Sequence, residues 1–431
     1  MKKKNWAAIA LMMVTSMTVG CSSSSDEDNP KPVVCPVEPR TTLELTRTEQ
    51  EMVSSSNDFT FDLFRKARDE VKSQILSPIS ITYALGMLNN GAAGETQQQI
   101  NKVLGFSETG ADGINEFCYK MLQKASTLDD HTKVLIGNTI YLNKDKGYDL
   151  LPAFVAKANA FYDAEPESRS FSDGNTRDVI NKWGSDHTMG MIKETLREDE
   201  FDEEAVSYLL NAIYFKGAWA QNFDKNVTTD EAFEHAGTTK ELILRPMMRQ
   251  TAEFDYTETE AFQALRLPYG NGAYQIVLLP RNIKDIDIKK GDDINKVLQS
   301  LTAESWQQIQ QQMSPAIVDL KLPRFESETD INLIPIMQKL GMTKAFDPDA
   351  EFQYFCTFPQ IYIELMKQVA KIKLDEEGTE AAVVTVISMK DGAAGPCDPK
   401  YVTFHANHPF LYVISEKETG TIFFIGQYTG N

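Results

Sequence analysis

Cysteine and histidine are both scarce in this chain, with five of each in 431 residues. The cysteines (Cys21, Cys35, Cys118, Cys356, Cys397) show no Cys-x-x-Cys spacing, and the histidines (His131, His187, His235, His405, His408) are scattered. No zinc-ligand pattern and no disulfide framework can be built from them. The sequence also lacks a Gly-x-Ser-x-Gly elbow, a Walker-type phosphate loop and a His-Glu-x-x-His helix. Basic charge is short as well: 43 Lys and Arg against 62 Asp and Glu give a net charge of −19. Such a chain has no stripe to track a nucleic-acid backbone. Internal repeats and a regular βαβ alternation are missing, which disfavours a doubly wound sheet. Catalytic residues, cofactors, metal ligands and nucleic-acid partners are therefore not expected. The chain does not read as an enzyme.

What is present begins with an export signal. Met1-Lys2-Lys3-Lys4 is a positive n-region, and the apolar segment from Trp6 to Met17 is too short to span a bilayer as a helix. Thr18-Val19-Gly20-Cys21 resembles a bacterial lipobox, which marks Cys21 for lipidation after removal of residues 1–20. Ser22 to Pro30 is polar and acidic, so residues 21–45 are expected to be a flexible tether. These features predict a lipoprotein of a Gram-negative outer membrane, displayed at the cell surface and touching the membrane through its lipid alone. Cys118, within Phe117-Cys118-Tyr119, reads as a buried small hydrophobe. Cys397 lies in exposed-loop composition and is the more reactive thiol, with Cys35 the residue that could pair with it.

Residues 46–431 read as one domain. Helical spacing appears at 63–71, 81–89, 95–104 and 178–185, and strand-like runs at 134–136, 208–215, 274–279, 317–322, 402–404, 411–415 and 421–425. Helices concentrated in the first half and strands in the second, without a regular beat, indicate an α+β fold. Ser77 and Ser80 flank Pro78, and His405 and His408 precede Pro409-Phe410, all in contexts that suit packing.

The most informative stretch opens with Glu376-Glu377-Gly378-Thr379-Glu380-Ala381-Ala382 and runs on to Pro396. Thr379, Ala381, Val383, Thr385 and Ile387 fall on one face at period two, uncharged and free of proline, as a buried strand requires. Yet the run leads into Met389-Lys390-Asp391-Gly392-Ala393-Ala394-Gly395-Pro396, a composition typical of exposed, protease-sensitive loops. A core-quality strand fused to an exposed bait suggests a strand held outside the fold until it is cut.

This run resembles the hinge of the reactive-centre loop of the serpins, and further motifs occur in that family's order. They include Leu76-Ser77-Pro78-Ile79-Ser80, Asn90-Gly91-Ala92-Ala93-Gly94-Glu95-Thr96, Asn138-Thr139-Ile140-Tyr141 and Asn211 to Trp219. Leu267-Pro268-Tyr269, Leu322-Pro323-Arg324-Phe325, His408-Pro409-Phe410-Leu411 and Phe423-Phe424-Ile425-Gly426 continue the series. The resemblance implies the serpin fold, helices packed on mixed and antiparallel sheets, in a monomer that traps serine proteases, with cysteine proteases a further target class. A non-inhibitory binding or structural module is the alternative.

It also implies particular roles. Glu376 to Ala382 form the hinge, Ser77, Ser80, Asn211 and Gln368 the shutter, and Trp219 the breach at the head of the main sheet. Gln368 stands where many members carry histidine, so retained folding with an altered pH response is expected. Counting along the hinge places the scissile bond between Gly392 and Ala393, suited to an elastase-like pocket. Lys390 followed by Asp391 suits a trypsin-like enzyme, and Met389 is a third position.

Overall fold

Thr46 starts the first helix: its hydroxyl accepts from the Glu49 N–H while the Glu49 carboxylate accepts from the Thr46 N–H, a reciprocal cap. In the computed structural model, residues 42–107, 109–125, 127–236, 242–282, 293–358, 361–379 and 400–431 are described, all within a compact unit running from Arg40 to Asn431. The leader, Cys21, Cys35 and most of the tether lie outside them.

The helix so capped, α1 (Arg47–Ala67), is longer than the expected 63–71 and ends earlier. Arg68 is extended, and Asp69 then accepts from the Val71 and Lys72 N–H groups in a turn that cannot continue a helix. Next come α2 (Pro78–Asn89), α3 (Gly94–Leu104), α4 (Gly110–Ala125), α5 (Pro152–Tyr162) and α6 (Thr176–His187). Three more, α7 (Asp293–Ser300), α8 (Ala303–Gln312) and α9 (Ile334–Lys339), fall in the second half, where few helices were expected. Every residue of α2 is buried, Ser80, Thr82 and Asn89 included, so the helix has no solvent-facing side.

The strands in chain order are β1 (Gln74–Leu76), β2 (Thr132–Asn143), β3 (Glu167–Arg169), β4 (Ser207–Ala218) and β5 (Thr229–Glu234). Then come β6 (Leu242–Glu258), β7 (Gln263–Pro268), β8 (Tyr274–Pro280), β9 (Ser314–Pro323) and β10 (Phe325–Asn332). The last are β11 (Leu365–Asp375), β12 (Gly378–Thr379), β13 (Tyr401–His405), β14 (Phe410–Glu416) and β15 (Ile422–Tyr428). They form two sheets. One runs β1-β15-β14-β8-β7-β6-β9-β13 with β5 on β6; the other runs β10-β11-β12-β4-β2-β3. Helix α2 packs against β15 of the first sheet and β2 and β4 of the second, joining both cores. The fold is α+β, as the mixed order of elements implied.

Cys118 is buried in α4 and burial pushes its thiol pKa up, while the buried Cys356 thiol donates to the Phe358 carbonyl at 2.8 Å. His408 is also buried, and its pKa is lowered to about 4 by burial and by Arg281, so it stays neutral. His405 sits on β13 beside Asp319 at 3.1 Å.

Candidate functional site

Strands β4 and β11 meet at the middle of the six-stranded sheet, parallel, through successive pairs from Leu365 with Tyr208 to Ala370 with Ile213. Beyond those pairs the seam is occupied by β12, antiparallel to both neighbours. Thr379 lies opposite Leu374 and Gly217, and Gly378 opposite Asp375 and Ala218. The hinge thus already stands as a two-residue wedge at the mouth of the seam.

Asn211 and Gln368 face each other across the closed part of the seam, both buried. Gln368 Nε2 donates to Asn211 Oδ1 at 2.6 Å and to the Ser77 carbonyl at 3.0 Å, while its Oε1 accepts from the Ser77 N–H at 3.0 Å. Ser80 Oγ donates to Asn211 Oδ1 at 2.7 Å, and Asn211 Nδ2 donates to Asn138 Oδ1 at 2.8 Å. Ser77 Oγ ties the cluster to β15 through the Phe423 carbonyl at 2.8 Å. The network gathers Ser77, Ser80, Asn211 and Gln368, and adds Asn138. Each bond contributes roughly 0.5–1.5 kcal/mol, but a partner left orphaned here costs about 1–3 kcal/mol. An amide at 368 has no proton to gain or lose in the physiological range, so the clasp keeps one charge state where an imidazole would titrate.

The mouth of the seam is built differently. Gly378 has φ of +140°, and a Cβ there would sit 2.1 Å from the Gly217 carbonyl oxygen, so only glycine fits between the strands. The Thr379 hydroxyl, fully buried, shares a 2.7 Å hydrogen bond with the Tyr269 phenol. The Tyr269 ring stacks on Trp219 at 4.7 Å with the planes 6° apart. Trp219 Nε1 donates to the Asp375 carbonyl at 2.8 Å, and its backbone N–H to the Glu377 carbonyl at 3.0 Å. Trp219 therefore grips the chain where the hinge begins. Lys225 pairs with the Glu377 carboxylate nearby.

Glu376 is the buried acid of this region. Arg324 Nε donates to both of its oxygens at 2.7 Å, and Thr228 Oγ1 to one of them at 2.5 Å. Burial pushes its pKa up, yet Arg324 and Thr228 outweigh that and hold the carboxyl below the usual range. A depressed folded-state pKa means the stabilisation is present above the unfolded value and lost as pH falls through the folded one. Glu376→Gln is expected to lower stability near neutral pH by about 1–2 kcal/mol, since Arg324 is partly exposed and screened. The difference from wild type should shrink on acidification below pH ~4, measured by denaturant unfolding at several pH values. An unchanged difference across that range would remove the charge from the explanation.

Glu376, Glu377, Gly378 and Thr379 are thus placed at the seam. Glu380, Ala381 and Ala382, and the candidate bond residues Met389, Lys390, Asp391, Gly392 and Ala393, lie outside the described residues, as does Cys397. Reading the sequence left Tyr269, Arg324, Thr228 and Asn138 without roles. Three of them sit in serpin-like motifs, but nothing local signals that Arg324 meets a glutamate 52 positions later.

The profile of the family described as Serpin (serine protease inhibitor) matches residues 54–430. The chain is 32% identical to human Serpin B3 over 398 residues, covering 87% of this chain and 98% of that protein. It is 28% identical to the leukocyte elastase inhibitor of Xenopus laevis, over 88% of this chain and 99% of that one. Among solved structures, it is similar to the thermophilic serpin tengpin in its native state, with a TM-score of 0.78, 27% identity, and coverage of 90% of this chain and 95% of that one.

Proposed function

The chain belongs to the serpin family, described as serine protease inhibitors and not an enzyme family, and on that premise we propose that it traps serine proteases covalently by inserting its cleaved loop into the β4–β11 seam. The observation that carries this reading is β12. Its register, continued residue by residue, sets Ala381 level with Phe215, Val383 with Ile213 and Thr385 with Asn211. On the other side Thr385 falls level with Gln368. Leu374 and Gln368 point into the core, so by the strand period the uncharged set Thr379, Ala381, Val383, Thr385 and Ile387 would point inward too. Thr385 would part the Asn211–Gln368 pair, which makes the shutter the clasp that insertion must open. Val383 and Val384 are bulky for such a passage and should slow it.

The chemistry begins as ordinary proteolysis. The protease serine Oγ attacks the carbonyl carbon of the residue before the scissile bond. The C–N bond breaks, the new amine leaves with a proton, and an ester joins loop to enzyme. Insertion then carries the esterified end along the seam and strains the protease before water can release it. We place the bond between Gly392 and Ala393, with Lys390–Asp391 and Met389 as the competing positions. Small residues suit a shallow elastase-like pocket, and a deep acidic pocket gains nothing from them.

The test is to mix the protein with an elastase-like and a trypsin-like protease and look for complexes that survive boiling in detergent. Elastase should be trapped, trypsin should divide between trapping and plain cleavage, and Gly392→Arg should shift preference to trypsin. The intact mass of the released C-terminal fragment identifies the bond. Plain cleavage by every protease would overturn the inhibitor reading, and trapping of trypsin but never elastase would move the bond to Lys390.

The same proposal includes the address: a monomer tethered to the Gram-negative outer membrane through lipidated Cys21 and exposed at the cell surface. Cys21→Ser should leave the protein soluble or unprocessed. An unchanged membrane fraction, or full protection of the domain when intact cells are digested, would count against anchor or display respectively.

A further inference from the structure

At the far end of the seam from the hinge, an aromatic surface stands without a role in loop cutting or insertion. Phe358 is 55% exposed and meets Tyr148 edge to face, with ring centres 6.2 Å apart. Tyr362, half-buried like Tyr148 against the same hydrophobic core, belongs to this pole through its carbonyl, which meets the start of β4. Two segments carry these rings, and they are tied to one another. The Leu151 N–H donates to the Phe355 carbonyl at 3.0 Å, the Thr357 N–H to the Asp149 carbonyl at 2.9 Å, and Leu150 bridges Cys356. The rings are therefore held by backbone, not displayed on free loops.

This pole is where the seam ends. Ser207 is the first residue of β4, and its Oγ donates to the Tyr362 carbonyl at 2.9 Å. Glu364 accepts from the Val206 N–H beside it at 2.6 Å. If loop insertion proceeds as proposed above, the register of β12 brings Met389 level with Ser207 on one side and Glu364 on the other. The proposed bond residue, Gly392, is three residues further, about 10 Å at strand rise. An enzyme esterified there is delivered onto the surface of Tyr148, Phe358 and Tyr362.

We infer that these three aromatic side chains form a docking platform for the translocated protease, prolonging the life of the trapped complex without taking part in its formation. Aromatic side chains are enriched at protein interfaces because they bury much area for few frozen rotors. A partner already joined by a covalent tether meets the surface at high effective concentration, so even weak ring contacts are populated. Contact with the rings restrains the distorted enzyme. Its loss lets the enzyme recover, so that water can attack the ester carbonyl and release the serine hydroxyl from the loop carboxylate.

The inference rests on the insertion reading, and the experiment separates the two. A Tyr148→Ser/Phe358→Ser protein is compared with wild type against the same elastase-like protease. The association rate and the moles of inhibitor consumed per mole of protease should be unchanged. Recovery of protease activity from the purified complex should be about two- to tenfold faster, the range that loss of an aromatic contact produces. Phe358→Trp should restore the slow release, which a merely structural role would not require. If the double variant fails to fold, Phe358→Leu decides the matter with a smaller acceleration expected. Equal release rates in wild type and variants overturn the platform. A wild-type protein that forms no detergent-resistant complex overturns the insertion reading, and the platform with it.

Discussion

Cleaved within its loop, the protein is expected to melt on the order of 10 °C higher than the intact form. The intact sheet holds β4 and β11 together through six parallel pairs and a two-residue wedge, and completing the strand from Gly378 to about Met389 would replace the parallel pairs with two antiparallel interfaces. Antiparallel pairing is slightly the more stable per residue, and the wedge geometry already sets its register. Ten further residues bonded on both sides, at roughly 0.5–1.5 kcal/mol per bond, give on the order of ten kcal/mol before the cost of opening the shutter. A domain of this size has an unfolding entropy of roughly 0.8 kcal/mol/K, so that gain converts to about 12 °C. Differential scanning calorimetry before and after limited cleavage measures it, with mass spectrometry confirming a single nick. A nicked form melting no higher than the intact one would show that the loop does not enter the sheet.

The degree to which this could be read from sequence depends on the range of the interactions involved. The hinge was legible because its requirements are local: a glycine pivot at Gly378, then small uncharged residues at period two. Helical spacing over 81–89 was legible for the same reason, but the helix start at Pro78 and the burial of every residue were not, since Ser80 and Thr82 interrupt the apolar run. Residues 57–64 resemble an opening helix of the family, but the turns before them were missed although Met52, Val53 and Ser56 continue the helical spacing of the buried Phe59, Thr60, Leu63 and Phe64. Ser54, Ser55, Ser56 and Asn57 interrupt the run with residues that favour turns and caps, and packing overrides that preference. The Arg324–Glu376 pair, the Thr379–Tyr269 bond and the Trp219–Tyr269 stack join residues 50 to 110 positions apart. Only the pairing of strands brings them together. Gln368 was noticed as a departure from the family, but its direct bond to Asn211 depends on a register that no local pattern sets.

Thr379→Arg is expected to convert the inhibitor into a substrate, raising the moles consumed per mole of protease trapped at least tenfold while leaving loop cleavage intact. Thr379 is fully buried, flanked by Leu374 and Gly217, and its hydroxyl is matched to the Tyr269 phenol. A guanidinium at that point would be buried without a carboxylate partner and would displace the Tyr269 ring, which already lies against Gly217. An unpaired buried charge costs several kcal/mol, more than a two-residue wedge can offset. The intact variant should therefore fold with its hinge expelled from the seam, where Glu376 stays anchored by Arg324 and the shutter stays closed. After cleavage the first inward position cannot enter, insertion does not start, and water hydrolyses the ester while the protease is still undistorted. Glu380→Arg is the control, because by strand parity that side chain would point away from the core on insertion and its charge would remain solvated. It should trap nearly as well as wild type. The measurements are stoichiometry and detergent-resistant complex for both variants against one protease. Trapping by Thr379→Arg at wild-type efficiency would rule out insertion along this register, whereas equal loss in both variants would mean that charge near the hinge, not burial at residue 379, is what the mechanism cannot tolerate.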